Sequence, residues 1–282
     1  MTKKALVLQG GGLRGAFTAG VLDVFIQNGI EFDYIIGTSA GALNGTNYIT
    51  KQVGRSFGII YGFCHDHRFG SFSNLIKNHN YFDSNYLFKD ISEKILPFDF
   101  KTFNESKTVF YCVATCLQNG GATYFSKERS DFWKCLGASM SLPLISTPVE
   151  IDGNEYLDGG NSEPIPFRKP MDEGYQKIVI IETREKSYRK ENRRLANRIY
   201  NRLYDNYPEY LNCLREYSNI YNNRVETIEF LEKSGKVFVI RPDKPVSVSR
   251  TEKNKEKIKN LYDDGVRVAK ELLDPLRKYI GE

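Results

Sequence analysis

Histidine is scarce in this chain. There are three, His65, His67 and His79, and none follows position 79. A hydrolase triad in the order Ser…Asp…His therefore lacks its last member for any aspartate further along. The run Cys64-His65-Asp66-His67, with His79 beyond, fixes no ligand geometry, and neither a metal nor another cofactor is expected. Long apolar runs are missing too. Ala5-Leu6-Val7-Leu8 is cut by Gln9 and three glycines, short of a signal segment, and no later run approaches the ~20 residues of a membrane span. The five cysteines are odd in number and scattered, which excludes a disulfide framework and suits a reduced, cytoplasmic setting. In a strand, Cys112 and Cys116 would stand about 13 Å apart, too far for a bridge. A net charge of +5, spread evenly over both halves, excludes the basic domain of a nucleic-acid binder.

With 282 residues, 40% of them hydrophobic, the chain can bury a large core, and it reads as a single α/β domain over 1–282. Its organising stretch is Tyr34-Ile35-Ile36-Gly37-Thr38-Ser39-Ala40-Gly41. A short apolar strand runs into Gly-x-Ser-x-Gly and then a helix. A serine at such a corner occupies a strained turn with its hydroxyl off the sheet, and Gly37 and Gly41 let strand and helix approach. Upstream, Ala5 to Gln9 reads as a buried parallel strand leading into Gly10-Gly11-Gly12-Leu13-Arg14-Gly15 and a helix to about Gln27. Three readings of these glycines compete. Amides of Gly10, Gly11 and Gly12 beside a helix N-terminus can converge on a developing alkoxide. The run also satisfies the dinucleotide fingerprint, but Thr38-Ser39, not an acid, ends the second strand, and Arg14 is bulky for that motif. A purely structural turn is the third.

Further on, helices are expected at Arg55–Gly62 and Ser84–Leu96, and the aromatics Phe57, Tyr61, Phe63, Phe69, Phe72, Tyr81, Phe82, Tyr86 and Phe88 are core or the lining of an acyl pocket beside Ser39. Thr108–Cys116 and Ala122–Phe125 read as a strand pair, and Asp131–Ser139 as a helix. A hairpin through Asp152-Gly153-Asn154 then delivers Asp158-Gly159-Gly160 at a strand end. Asp-Gly alone is turn chemistry. Combined with a serine elbow and no later histidine, it points to a Ser39–Asp158 dyad.

The three motifs Gly10–Gly15, Gly37–Gly41 and Asp158-Gly159-Gly160, in this order, resemble those of the patatin-like phospholipase family, its bacterial branch in particular. The resemblance covers about 5–167. It implies a three-layer α/β fold on a mainly parallel sheet, Ser39 as nucleophile, Asp158 as its partner and Gly10–Gly12 as oxyanion hole with Arg14 helping to set that loop. The motif-bearing core then extends over about 5–183, and a strand at Val237–Ile240 and helices fill about 184–282. The implied activity is lipid acyl hydrolysis through an acyl-enzyme. A thioesterase or esterase on soluble acyl substrates, or a non-catalytic lipid-binding regulatory module, are the alternatives. Arg184–Arg202 holds eight Lys/Arg against two acids, with Leu195, Ile199 and Leu203 on one helical face. That composition suits peripheral contact with an anionic membrane, and equally a solvated basic helix. Lys253–Tyr279 reads as a terminal helix that covers the sheet, broken near Asp274-Pro275.

Overall fold

The computed structural model describes residues 3–71, 74, 80–191 and 194–282, with backbone alone at 194–197. His79 and Phe72 lie outside the described residues. Eight strands make one sheet: β1 (Lys4–Leu8), β2 (Tyr34–Thr38), β3 (Val109–Cys116), β4 (Ala122–Ser126), β5 (Val149–Ile151), β6 (Asn154–Asp158), β7 (Lys177–Ile181) and β8 (Val237–Ile240). β3, β2, β1, β7 and β8 run parallel to their neighbours, whereas β4 and β6 lie antiparallel to β3, and β5 antiparallel to β6. The parallel strands are unbroken apolar runs because helices cover both faces. Leu6 and Leu8 point into one core layer, with α1 (Gly15–Gln27), α2 (Ala40–Ile49) and the helix Lys255–Glu271. Ala5 and Val7 point into the other, against Tyr221, Val225 and Ile228 of the helix Pro208–Lys233. The result is a three-layer α/β fold on a mainly parallel sheet, as the sequence implied.

Most expected elements recur within a residue or two. α3 is Arg55–Phe63, and the segment expected as a helix from Ser84 is π-helical over Tyr86–Ile95. The terminal helix ends at Glu271 and restarts at Leu273, because the ring of Pro275 meets the carbonyl four residues back and Pro275 has no N–H to give it. Lys255–Glu271 packs on α1, so it covers a helix that lies on the sheet rather than the sheet itself.

The register of β3 positions the site. On one edge, β4 pairs with Tyr111 through Thr115, with Ala114 opposite Thr123. β2 takes the other edge and ends with Thr38 opposite Val113. Since Ala114 and Thr115 are already paired with β4, β6 must share the edge of β2. It arrives from the opposite direction and ends with Asp158 opposite Ala114. The two strands meet end to end, with Ser39 just past one tip and Asp158 on the other.

Candidate active site

Ser39 sits between β2 and α2 at φ 55° and ψ −125°, a conformation that costs a non-glycine residue on the order of 1–3 kcal/mol. The surroundings hold it there. Its N–H donates to Ser139 Oγ at 2.9 Å, and Thr38 Oγ1 donates to the Glu163 carbonyl at 2.9 Å. Asn44 of α2 reaches Gly15 O at 2.9 Å and ties the elbow helix to α1. At Gly41 a Cβ would stand 2.5 Å from the Leu8 carbonyl, so only glycine lets α2 lie this close to β1. Ser139 and Glu163 carry no sequence signal for this role, being polar residues whose function depends on what the fold brings beside them.

Asp158 is 4% exposed and Ser39 8%. Oδ1 of the aspartate accepts from Gly160 N at 2.7 Å, its own N–H donates to Ser141 O at 2.7 Å, and its carbonyl accepts from Thr115 Oγ1 at 2.9 Å. Oδ2 is buried without a hydrogen-bond partner among the described residues. Burial pushes the Asp158 carboxyl above its ordinary value; the Ser39 hydroxyl, the Gly160 amide and the charges of Arg250 and Lys190 act against that rise. A raised carboxyl is a better proton acceptor than an exposed aspartate.

The loop after β1 closes the third side. The Gly10 amide is already used, donating to Pro164 O at 3.3 Å, so of the three amides expected to converge on an alkoxide it is engaged elsewhere. Among the described residues the amides of Gly11 and Gly12 have no acceptor. Gly12 has φ +57°, and a Cβ there would come 2.5 Å from the Arg250 carbonyl, which itself accepts from Leu13 N at 3.1 Å. Arg14 is 7% exposed, and its Nε has no hydrogen-bond partner among the described residues. Burial, then the nearby charges of Arg184 and Arg250, lower its pKa to about 10, which leaves it protonated at neutral pH.

Ser39, Asp158, Gly160 and the Gly10–Gly12 loop wall a chamber of about 30 Å³. Arg14, Arg184, Lys190 and Arg250 share it, and it borders a basin of about 560 Å³. The described aromatics expected beside Ser39 do not line this chamber. Phe57 stacks on Tyr262 at 4.1 Å, Phe63 packs edge-on against Tyr86 and tilted against Phe69, and Phe88 lies tilted against Trp133. Phe69 and Phe82 instead line a separate cavity of about 230 Å³, bounded by Leu87, Met140 and Ser141. His65 and His67 are also absent from the chamber, and the His65 ring is bonded to the Lys253 carbonyl. Among the described residues no group of His, Cys, Asp and Glu could hold a metal ion, and no helix is long and apolar enough to cross a membrane. All five cysteines are free and buried.

The fold and the serine elbow define a class, that of α/β proteins with a strained serine after one parallel strand and a glycine-rich loop on the neighbouring strand. Within it the chain belongs to the patatin-like phospholipase family, whose family model matches residues 6–171. A second match, to the domain of unknown function DUF6363, covers residues 207–281. The uncharacterised protein YjjU of Escherichia coli is 32% identical over 186 residues, 64% of this chain and 51% of that protein. The lysophospholipase NTE1 of Meyerozyma guilliermondii is 29% identical over 183 residues, 63% of this chain but 12% of that protein. This chain thus spans about half of the first relative's length and a small part of the second's. VipD from Legionella pneumophila shares the fold at a TM-score of 0.55 and 13% identity, over 98% of this chain and 67% of that one.

Proposed function

We propose that this protein hydrolyses acyl esters of lipids through an acyl-enzyme on Ser39, with Asp158 as its base. The end-to-end meeting of β2 and β6 on β3 carries this reading, since it sets a strained serine near a buried carboxylate whose Oδ2 lacks a partner among the described residues. In the first half-reaction Asp158 Oδ2 takes the proton from Ser39 Oγ as Oγ bonds to the ester carbonyl carbon. The Gly11 and Gly12 amides face the resulting oxyanion, each such donor lowering the barrier by about 2.7–4 kcal/mol. Gly10 shapes the loop. The bond to the leaving oxygen then breaks, and protonated Asp158 returns its proton to that alkoxide. Water repeats the sequence in the second half: it loses a proton to Asp158, attacks the acyl carbon and expels Ser39, which regains the proton. The cavity behind Ser141 suits the acyl chain, because Phe69, Phe82, Leu87 and Met140 offer it apolar walls. Relatives named lysophospholipase make a lysophospholipid the first substrate to try. Rapid mixing with excess p-nitrophenyl butyrate should release a burst of about one p-nitrophenol per chain before steady turnover. A linear trace with no burst, together with no hydroxylamine-trappable acyl group, would remove the acyl-enzyme.

We read the whole chain as one working unit, because β8 adds directly to β7 and the Arg250 carbonyl braces the loop after β1. The basic segment expected at the membrane divides in two. Arg184 and Lys190 face the chamber, and Arg189 pairs with Glu229 at 3.1 Å. The helix Arg194–Leu203 leaves Ile199 53% and Leu203 55% exposed beside exposed Arg198 and Arg202, while Tyr204 packs inward. An apolar pair flanked by cations is what an anionic interface takes up, with about 1.5–3 kcal/mol for each buried Leu or Ile and about 1 kcal/mol for each Arg near the surface. The double variant Ile199→Asp/Leu203→Asp should therefore lose about tenfold or more on anionic vesicles, with little change on p-nitrophenyl butyrate. Equal loss on both substrates would assign the helix to the fold instead.

A further inference from the structure

The reacting pair and the C-terminal region fall under different family matches. Ser39 and Asp158 lie within residues 6–171, whereas Tyr217 and Arg250 lie within 207–281, the domain of unknown function. Yet Arg250 belongs to the same chamber, on its cationic wall with Arg14, Arg184 and Lys190. Its main chain touches the glycine loop. The Arg250 carbonyl accepts from Leu13 N at 3.1 Å, and a Cβ on Gly12 would come 3.1 Å from the Arg250 Cα. Two anchors hold this stretch in place. Upstream, Val246 N donates to Glu185 Oε2 at 3.1 Å and Val246 O accepts from Arg184 Nη1 at 2.6 Å. Downstream, the helix Lys255–Glu271 is tied to α1, where the Tyr262 hydroxyl donates to Asp23 Oδ2 at 2.7 Å.

The half-buried side chain of Arg250 reaches into the chamber. Its Nη2 bonds the Tyr217 hydroxyl, and its Cζ lies 5.7 Å from the centre of that ring. The same ring carries Lys190, whose Nζ is 3.6 Å from its centre, so Tyr217 orders two cations at once. Among the described residues that line the chamber, Asp158 is the one carboxylate. It shares the chamber with Ser39, the four cations and the phenols of Tyr188, Tyr217 and Tyr221. Tyr210, which accepts from Asn161 Nδ2 at 3.1 Å, is close enough to feel its charge. Of the charges acting on Asp158, that of Arg250 weighs most and that of Lys190 next. The effect is reciprocal: Tyr217 first, and then Asp158, hold the Arg250 guanidinium above its ordinary value in spite of burial. An ionised carboxylate as buried as Asp158 persists only beside a compensating charge.

We propose that the C-terminal region completes the active site through Arg250, a positioning residue whose carbonyl sets the glycine loop and whose guanidinium, aimed by Tyr217, offsets the charge of Asp158. The assignment rests on the Ser39–Asp158 reading for its catalytic meaning. It gives the region 207–281 a definite task. The part of the chain that holds both reacting groups does not supply the cation that weighs most on the aspartate, nor the carbonyl that braces the loop. Arg250 acts through Asp158 and the loop, and its effect is therefore the same whether the substrate is charged or neutral.

The pH profile for p-nitrophenyl butyrate, a neutral ester, tests this. Arg250→Gln removes the charge and keeps the main chain, and it should raise the midpoint of the acid limb by about 0.5 pH unit or more, about a threefold loss of kcat/KM on the limb. Arg250→Lys should bring the midpoint back to within about 0.2 unit. Tyr217→Phe, which releases the guanidinium, should move it the same way by less, and this variant decides if Arg250→Gln fails to fold. A midpoint unmoved in the neutral variants, or moved as far in Arg250→Lys as in Arg250→Gln, would overturn the proposal. Melting supplies a readout that needs no turnover, so its outcome is independent of whether Ser39 is the nucleophile. At pH 7 the gain in melting temperature from Asp158→Asn should be larger by about 3 °C or more in the Arg250→Gln background than in the unaltered protein, because the buried charge there has lost its counterpart. Equal gains in the two backgrounds would overturn the pairing of Arg250 with Asp158.

Discussion

Replacing Ser39 with Ala is expected to lower ester turnover by about 10⁴-fold or more, to the level that binding and the glycine loop alone sustain. A fluorophosphonate should label the unaltered protein at Ser39 and leave the Ser39→Ala protein unmarked. The backbone supplies a second readout. Ser39 is held at φ 55° and ψ −125° by the Ser139 and Glu163 contacts, and alanine at this position keeps the strain while glycine relieves it. Ser39→Gly should then be inactive and more stable than Ser39→Ala by about 1 kcal/mol or more in a urea melt. Equal stability would mean that the elbow is unstrained. Full activity in either variant, or labelling at another residue, would remove Ser39 from the mechanism.

For Asp158→Asn the expected loss is about 10³-fold, within the range for removal of a positioned general base. Asparagine keeps an oxygen for the Gly160 amide but cannot accept the Ser39 proton. The pH dependence follows from the raised carboxyl. Asp158 must be ionised to act, so kcat/KM should rise with pH along an acid limb whose midpoint lies above the ordinary 3.8. Stability runs the other way. A group whose pKa is higher folded than unfolded contributes stability in full below its unfolded pKa, and loses it as pH rises through the folded value. At neutral pH the protein therefore bears the cost of a buried, ionised carboxylate, which the asparagine variant avoids. Asp158→Asn should melt at a higher temperature than the unaltered protein at pH 7, with the gap closing toward pH 3. A lower melting temperature at pH 7, or an unchanged rate, would show that Asp158 is a structural hydrogen-bond acceptor and not a base.

Much of the fold was legible from one dimension, because the signals are local. β1, β2 and β7 announce themselves as short unbroken apolar runs, the signature of strands covered on both faces. The serine elbow and the Asp158-Gly159-Gly160 turn were visible as motifs. The fate of the aromatics was not, since Phe57 or Phe88 has the same composition in a core as in a pocket wall. The Gly10 amide looked as free as its neighbours, and only the folded chain brings Pro164 O to it. Arg184 and Lys190 read as part of a charged helix face, whereas the fold turns Arg184 over Tyr188 of its own segment and Lys190 over tyrosines of a helix that starts at Pro208.

By itself, then, the sequence determined which residues form strands, where the glycine loop and the strained serine fall, and that no histidine follows Asp158. Periodicity and turn chemistry are short-range, so they survive in the order of residues. That Ser39 and Asp158 meet was decided by the tertiary structure alone. Which edge of β3 receives β6 depends on β4 having taken the other, a competition among backbone hydrogen bonds from segments far apart in the chain. The cationic wall arises in the same way: each of its four side chains is unremarkable in its own stretch, and their charges add only because the packing of helices and strands brings them to one chamber.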